Sequence, residues 1–332
     1  MKNINKFFNF SNFININGNI FKGAIKALLP VYLSDKIKRV LNKDSSVRIY
    51  CKETILVVDK KNSKVQGLEP VFYWDDAPNF GDVIGPFLVS NIVNKPVVNI
   101  YRNNLPGLIT VGSIFQEIDR KGMVVWGSGL IDEPSKSTLL RIKKNKPTIL
   151  SLRGKETARV LANAGINIPD ENSYGDPALL LPLFYTPKES KQALIGLCPH
   201  YIHKKLFASY VVDQNGCKII DVQKDLQQVV DEIVSSDVCI STSLHGLIIA
   251  QSYGIPWVWL EIVDDNLVGN DFKFRDFFST IDESQVSRIQ VKSKDVSNLD
   301  YASLAESAKL PSKRYDESLM LGALQCHLKN RD

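Results

Sequence analysis

From residue 46 onward, short apolar runs alternate with segments of helical spacing. Val47–Cys51, Thr54–Val58, Pro70–Trp74, Val97–Tyr101, Leu108–Val111, Met123–Trp126 and Thr148–Leu152 read as strands. Apolar helices are predicted over Val83–Val93 and from Arg153-Gly154 to about Ala164. The stretch Leu181–Lys191, with two prolines and several charges, breaks the rhythm and reads as a linker. Beyond it, strands are expected at Ala193–Cys198, Cys217–Val222, Asp237–Ser241 and Trp257–Glu261. Helices are expected at Lys204–Val212, Asp225–Ser235 and His245–Tyr253, followed by a helical stretch Tyr301–Leu328 broken at Pro311. Strands and helices alternating at this spacing imply mostly parallel sheets and an α/β class. Two α/β domains facing across a cleft follow: an N-terminal Rossmann-like domain over 46–185 and a C-terminal one over 186–300. Residues 301–332 are expected to pack back on the first, and residues 1–45 form an extension.

At 332 residues the chain exceeds what one hydrophobic core usually supports, which agrees with that division. No apolar run approaches the roughly 20 residues that span a bilayer. The start, rich in Asn and Phe, lacks the continuous apolar stretch of a secretory signal. The five cysteines are scattered and form no CxxC pair, so neither a zinc site nor a disulfide framework is expected, and the cytoplasm fits best. Net charge is +5, but unevenly spread: residues 1–43 hold eight basic groups against the single acid Asp35, leaving the remainder slightly acidic. A near-neutral body argues against a nucleic-acid partner. In the basic head, lysines oppose Ile25, Leu28, Leu29, Leu33 and Ile37 at helical spacing. It suits either a helix packed on the body or one adsorbed at an anionic membrane face.

The chemistry concentrates where strands end. Asn79-Phe80-Gly81-Asp82, Gly127-Ser128-Gly129, Ser151-Leu152-Arg153-Gly154 and Ser241-Thr242-Ser243-Leu244-His245-Gly246 each combine small residues with a reactive side chain. Glycines let amides approach an anion, and a helix amino terminus adds partial positive charge. His245, one of only four histidines, falls on the first turn of a helix at the carboxyl edge of a sheet, where open α/β folds bind ligands. Arg153 can grip a phosphate or carboxylate bidentately, or pair with a helix-face acid such as Glu156. Asp82 either caps the helix that follows or takes part in chemistry. Gly175-Asp176-Pro177-Ala178 reads as a helix cap. His200 and His203 lack a third ligand in the nearby sequence, so His200 suits an anion contact better than a metal. Lys273-Phe274-Arg275-Asp276 reads either as a closure over substrate or as a solvated helix face. Gly127-x-Gly129 lacks the third glycine of a dinucleotide fingerprint, and no P-loop occurs.

Taken in order, Asn79–Asp82, Gly127–Gly129, Ser151–Gly154, Gly175–Ala178 and Ser243–Gly246 resemble the polysaccharide pyruvyl transferase family over roughly residues 70–280. The resemblance implies a fold like the two-Rossmann-domain (GT-B) glycosyltransferases. It implies transfer of pyruvate from phosphoenolpyruvate onto two hydroxyls of a sugar as a ketal, in making a bacterial polysaccharide such as a capsule or exopolysaccharide. His245 matches the family's catalytic histidine, and Asp82 and Arg153 match positions associated with the active site. Asn79, Gly81, Ser128, Gly129, His200, Ser243, Leu244, Lys273 and Arg275 join Arg153 as expected substrate contacts, and neither metal nor cofactor is required. The expected partners are phosphoenolpyruvate and a saccharide acceptor; a lipid-linked acceptor would suit peripheral contact of residues 1–43 with the inner face of the cytoplasmic membrane. A histidine titrating near neutrality suits general acid/base work in such a reaction. A GT-B glycosyltransferase using a nucleotide sugar and a non-catalytic glycan-binding protein are the alternatives.

Overall fold

The computed structural model describes residues 46–51, 54–59, 68–102, 104–188, 191, 194–207, 216–269 and 271–331, with only the backbone for 46–59. The basic N-terminal extension, the polar loop after residue 59 and the far end of the helix expected over Lys204–Val212 lie outside the described residues.

Two sheets organise the chain. The first has the order β2-β1-β4-β3-β5-β6-β7, built from β1 (Ser46–Cys51), β2 (Thr54–Asp59), β3 (Glu69–Phe72), β4 (Val97–Asn99), β5 (Leu108–Ile109), β6 (Val124–Trp126) and β7 (Thr148–Ser151). The last five run parallel, while the β1/β2 hairpin adds an antiparallel edge beside β4. The second sheet is parallel throughout, in the order β12-β11-β10-β8-β9. It comprises β8 (Ile195–Cys198), β9 (Cys217–Ile219), β10 (Val238–Ser241), β11 (Trp257–Ile262) and β12 (Arg288–Val291). Helices connect the strands: α1 (Phe80–Val93), α2 (Lys136–Asn145), α3 (Lys155–Asn163), α4 (Lys204–Phe207), α5 (Leu226–Ser235), α6 (Leu244–Ser252), α7 (Phe272–Phe278), α8 (Tyr301–Ala305) and α9 (Glu317–Lys329). This α/β architecture with two parallel sheets is consistent with two Rossmann-like units. Among the described residues no helix is long and apolar enough to cross a membrane.

Helix α1 begins three residues before the apolar pattern does, because the Asn79 side chain accepts a hydrogen bond from Gly81 N and caps it. That early start puts Asp82 in the first helical turn. The linker expected from Leu181 is corrected in its first residues. Pro177–Leu183 is a 3₁₀ helix capped by Asp176, with Leu179, Leu180 and Leu181 buried against α1 and α6. Pro182 is tolerated there because a single short helix sacrifices little hydrogen bonding. One apolar cluster therefore runs from Phe80 and Trp126 on the first sheet's side to Leu247, Trp257 and Phe277 on the second's. Helix α9 joins it through Met320, whose carbonyl accepts the Trp126 indole N–H at 2.7 Å.

Candidate active site

Each sheet has a point where successive connections leave in opposite directions. In the first sheet β3 lies between β4 and β5; in the second, β8 lies between β9 and β10. Such switch points open a crevice at the carboxyl ends of the strands, where ligands bind in this class of fold. The loop after β3 ends at Asn79 and opens α1 with Phe80–Asp82, the loop after β5 carries Gly112, the loop after β8 carries His200, and the loop after β10 leads to His245. These loops converge on His245. A Cβ on Gly81 would overlap its imidazole, and one on Gly112, where φ is +93°, would lie 3.5 Å from both Cε1 and Nε2. The Phe80 ring stands edge-on to the imidazole at 6.4 Å, and Phe80 N donates to Val222 O at 2.8 Å, joining the two halves beside the site.

His245 sits in the first turn of α6, half-buried, with Nε2 buried and without a hydrogen-bond partner among the described residues. Burial pushes its pKa down to about 3, helped by the positive charges of Arg153 and Lys273, so the ring is neutral at physiological pH. Asp82 goes the other way. Burial lifts its carboxyl to about 7, against the opposing effect of the hydrogen bond from Asn79 Nδ2 at 2.9 Å. No hydrogen bond joins Asp82 to His245 among the described residues, so the carboxyl does not orient the ring directly. Ser243 occupies the helix cap position but makes no side-chain cap. Its amide donates to Ser241 Oγ, which in turn donates to Cys198 O at 2.7 Å and ties the ends of β10 and β8. Leu244 turns into the apolar core, which leaves only its backbone for a ligand.

The cations around this pair are not equivalent. Arg153 is fully buried and its guanidinium is already engaged: Nε donates to Asp276 Oδ2 at 2.9 Å, Nη1 to Ser113 Oγ, and Nη2 to Leu130 O at 2.6 Å. Its carboxylate partner is thus Asp276 from the other half, while Glu156 pairs on the surface with Arg159 and Arg275. Asp276 also accepts from Thr157 N and Thr157 Oγ1. Gly129 makes room for the pair, since a Cβ there would fall 2.5 Å from Arg153 Cζ. Lys273 differs. It is 8% exposed, and among the described residues no carboxylate or hydrogen-bond acceptor meets its ammonium, which packs 5.7 Å from the Phe274 ring centroid. Burial, with Arg153 adding, lowers its pKa to about 8. His200 is driven down to about 3 by burial, with Lys273, His203 and His245 adding, so these groups share one electropositive environment.

Other polar side chains around these groups are hydrogen-bonded within the fold. Ser128 Oγ donates to Gly112 O at 2.9 Å and holds the glycine that faces His245. Asp176 caps its 3₁₀ helix, as expected, and also accepts from Gly112 N. His203 spends both ring nitrogens on Thr242 Oγ1 and Asp265 O. Arg275 lies outside the cluster: its side chain is largely solvent-facing, paired with Asp271 and Glu156 over the Phe272 ring. The solvated-face reading holds for Arg275, while Lys273 and Asp276 of the same helix point inward. Asp276 belongs to the Lys273–Asp276 motif, but nothing in the sequence links it to Arg153; its only local signal is a carboxylate within an aromatic run, Phe272–Phe278.

A neutral imidazole, a carboxyl that holds a proton near pH 7 and an unpaired ammonium can bind a small multivalent anion and exchange protons with it. Uncharacterized protein L143 of Acanthamoeba polyphaga mimivirus is 27% identical over 263 residues, covering 77% of this chain and 88% of its own length. The polysaccharide pyruvyl transferase family matches residues 91–264, slightly more than half of the sequence, and that stretch contains Gly112, Arg153, His200 and His245. The chain belongs to the polysaccharide pyruvyl transferase family.

Proposed function

We propose that this protein transfers pyruvate from phosphoenolpyruvate to two hydroxyls of a sugar, forming a ketal and releasing phosphate. The observation that carries the reading is Lys273, a side chain only 8% exposed whose ammonium meets no acidic partner among the described residues, beside His200, His245 and the Arg153 guanidinium. Withdrawing a charge from most of its water without a counter-charge is costly, and a ligand with phosphate and carboxylate groups offsets that cost. Lys273 and His200 are the proposed anion holders. Arg153, already neutralised by Asp276, adds its remaining N–H groups and rigidity rather than serving as the main anchor.

The proton bookkeeping suits the two perturbed groups. The methylene carbon of phosphoenolpyruvate must gain a proton and become a methyl, which makes the adjacent carbon electrophilic. One sugar hydroxyl adds there, the bond from that carbon to the phosphate oxygen breaks, and the second hydroxyl closes the ring. Two hydroxyl protons come off: one balances the proton given to carbon, the other leaves with phosphate. In this reading protonated Asp82 supplies the methylene proton and neutral His245 accepts from the attacking hydroxyl. A bound dianion raises the pKa of His245 by matching the charge of Lys273, which lets the ring pass its proton to the departing phosphate.

The acceptor is proposed to belong to a bacterial surface polysaccharide or its precursor. Two GT-B-like domains dividing near residue 186 would bring donor and acceptor together, with residues 1–43 touching the inner membrane face. No observation favours a nucleotide-sugar donor. The test is phosphate release from phosphoenolpyruvate in the presence of candidate glycans, with the ketal identified in the product. His245→Gln should lower turnover by about 10²–10⁴-fold without altering thermal unfolding; near wild-type turnover would remove the assignment. Deleting residues 1–43 should abolish binding to anionic liposomes, and unchanged binding would remove the membrane contact.

A further inference from the structure

Of the four tryptophans, Trp126, Trp257 and Trp259 are buried, whereas Trp74 is 38% exposed. Its ring lies against Tyr101, centroids 4.7 Å apart and planes inclined by 40°. Tyr101 is held from several sides. Phe72 packs edge-on against it at 5.5 Å, its amide donates to Asn99 Oδ1 at 2.9 Å, and its hydroxyl donates to Asp76 Oδ2 at 2.8 Å. Arg102 donates to Asp76 Oδ1 at 2.6 Å, bridges to Asp75 at 3.2 Å, and places its guanidinium 5.7 Å from the Tyr101 centroid. The result is a fixed aromatic surface with a charged rim.

Its position gives it a use. Trp74 follows β3 by two residues and Tyr101 follows β4 by two, and these strands are parallel neighbours. The pair therefore stands on the same carboxyl edge as the active-site loops, and the loop that carries Trp74 runs directly into Asn79–Asp82. Along that edge the order is β4, β3, β5, β6, β7. The aromatic pair comes first, then Gly81 and Gly112, both facing the His245 ring, and last Arg153 after β7. A pyranose has one apolar face of C–H groups and a rim of hydroxyls. Flat, rigid tryptophan and tyrosine rings cover such a face with little loss of conformational freedom, and charged groups beside them hydrogen-bond the rim.

We propose that Trp74 and Tyr101 form the stacking platform for the acceptor saccharide, with Asp76 and Arg102 binding hydroxyls of the same sugar. The identification of that sugar as the group being pyruvylated rests on the reading above; saccharide binding by the platform does not. On this arrangement the donor anion and the acceptor enter from opposite sides of His245.

The experiment uses the full chain and the variants Trp74→Ala and Trp74→Phe. Trp74 is exposed, so neither change should disturb folding, and thermal unfolding verifies this. Binding of methyl β-galactopyranoside, methyl β-glucopyranoside and their disaccharide counterparts is followed by calorimetry without phosphoenolpyruvate, then acceptor and donor KM are measured separately. Expected are saturable binding of at least one glycoside, weakened roughly tenfold or more in Trp74→Ala (about 1.4 kcal/mol) and largely restored in Trp74→Phe. Acceptor KM should rise in parallel while the KM for phosphoenolpyruvate stays within about twofold. If the wild-type chain binds none of these glycosides, or Trp74→Ala binds them unchanged, the platform is wrong. If Trp74-dependent binding persists but no glycoside supports phosphate release, the platform stands and the pyruvyl-transfer reading fails.

Discussion

Arg153 and Asp276 form an ion pair with no solvent exposure on either side chain, 123 residues apart in sequence and drawn from the two halves of the molecule. Thr157 completes the carboxylate's hydrogen bonding from its amide and its hydroxyl. The pair thus joins the start of α3 to α7, the helix that carries Lys273. Removing one member leaves the other charged and buried, which costs about 3–5 kcal/mol. Asp276→Asn should lose stability of that order in urea unfolding. The double variant Arg153→Met/Asp276→Leu should recover much of it, since replacing both charges by apolar groups avoids the uncompensated one. A loss under about 1 kcal/mol in Asp276→Asn would mean the pair is not buried as described.

Lys273 lacks what Arg153 has, and its substitution should read oppositely. A mostly desolvated ammonium with no carboxylate partner among the described residues destabilises the ligand-free protein, so Lys273→Met should unfold at the same temperature as wild type or slightly higher. Its KM for phosphoenolpyruvate should nevertheless rise about tenfold or more, as expected for loss of a charge-assisted contact. The stabilisation that ligand gives in thermal unfolding should shrink accordingly. A drop in melting temperature with unchanged KM would assign Lys273 to the scaffold.

Much of the arrangement was legible in the chain because it is local. Strand runs of β-branched residues, the cap at Asn79 and the histidine opening α6 depend on neighbours within a few positions. Helix α2 and strand β12 escaped notice because both are mostly exposed and polar, with burial too slight to print a hydrophobic period. The roles within the site were harder to read. Arg153 looked like an open anchor because Asp276, which neutralises it, lies far along the chain. Asp82 and His245 looked like an ordinary carboxylate and an ordinary imidazole because their shifts come from burial, which appears only once both switch points meet.

Those shifts set opposing pH dependences. Asp82 titrates at about 7 in the folded chain against an ordinary 3.8, so the native state holds a proton that the unfolded chain releases. Its contribution to stability is present at low pH and is lost as pH rises from about 4 through 7. His245 and His200, at about 3 against 6.5, contribute stability that is complete above about 6.5 and lost as pH falls toward 3. Asp82→Asn should therefore gain on wild type in urea midpoint between pH 5 and pH 8, while His245→Gln should gain on it between pH 6.5 and pH 4. With Asp82 as proton donor, wild-type turnover should also fall above about pH 7. A rate that rises steadily to pH 9 would exclude that role.

Gly81 provides the sharpest local test, because it separates the place of the imidazole from its chemistry. A Cβ there would overlap His245, and the helix backbone around it has nowhere to retreat, with Phe80 buried behind it. Gly81→Ala should push the ring out of position. An alanine in a helical first turn is otherwise favourable relative to glycine by up to about 1 kcal/mol. Stability should thus change little while turnover falls about as far as in His245→Gln, since displacement by an ångström suffices to disable a positioned base. Gly112→Ala is the matched comparison: its Cβ would meet the same ring only at 3.5 Å, but its φ of +93° disfavours any side chain. That variant should lose about 1–3 kcal/mol of stability and keep far more turnover than Gly81→Ala. The reverse ranking, with Gly112→Ala inactive and Gly81→Ala near normal, would show that His245 acts from a position other than the one between these two glycines.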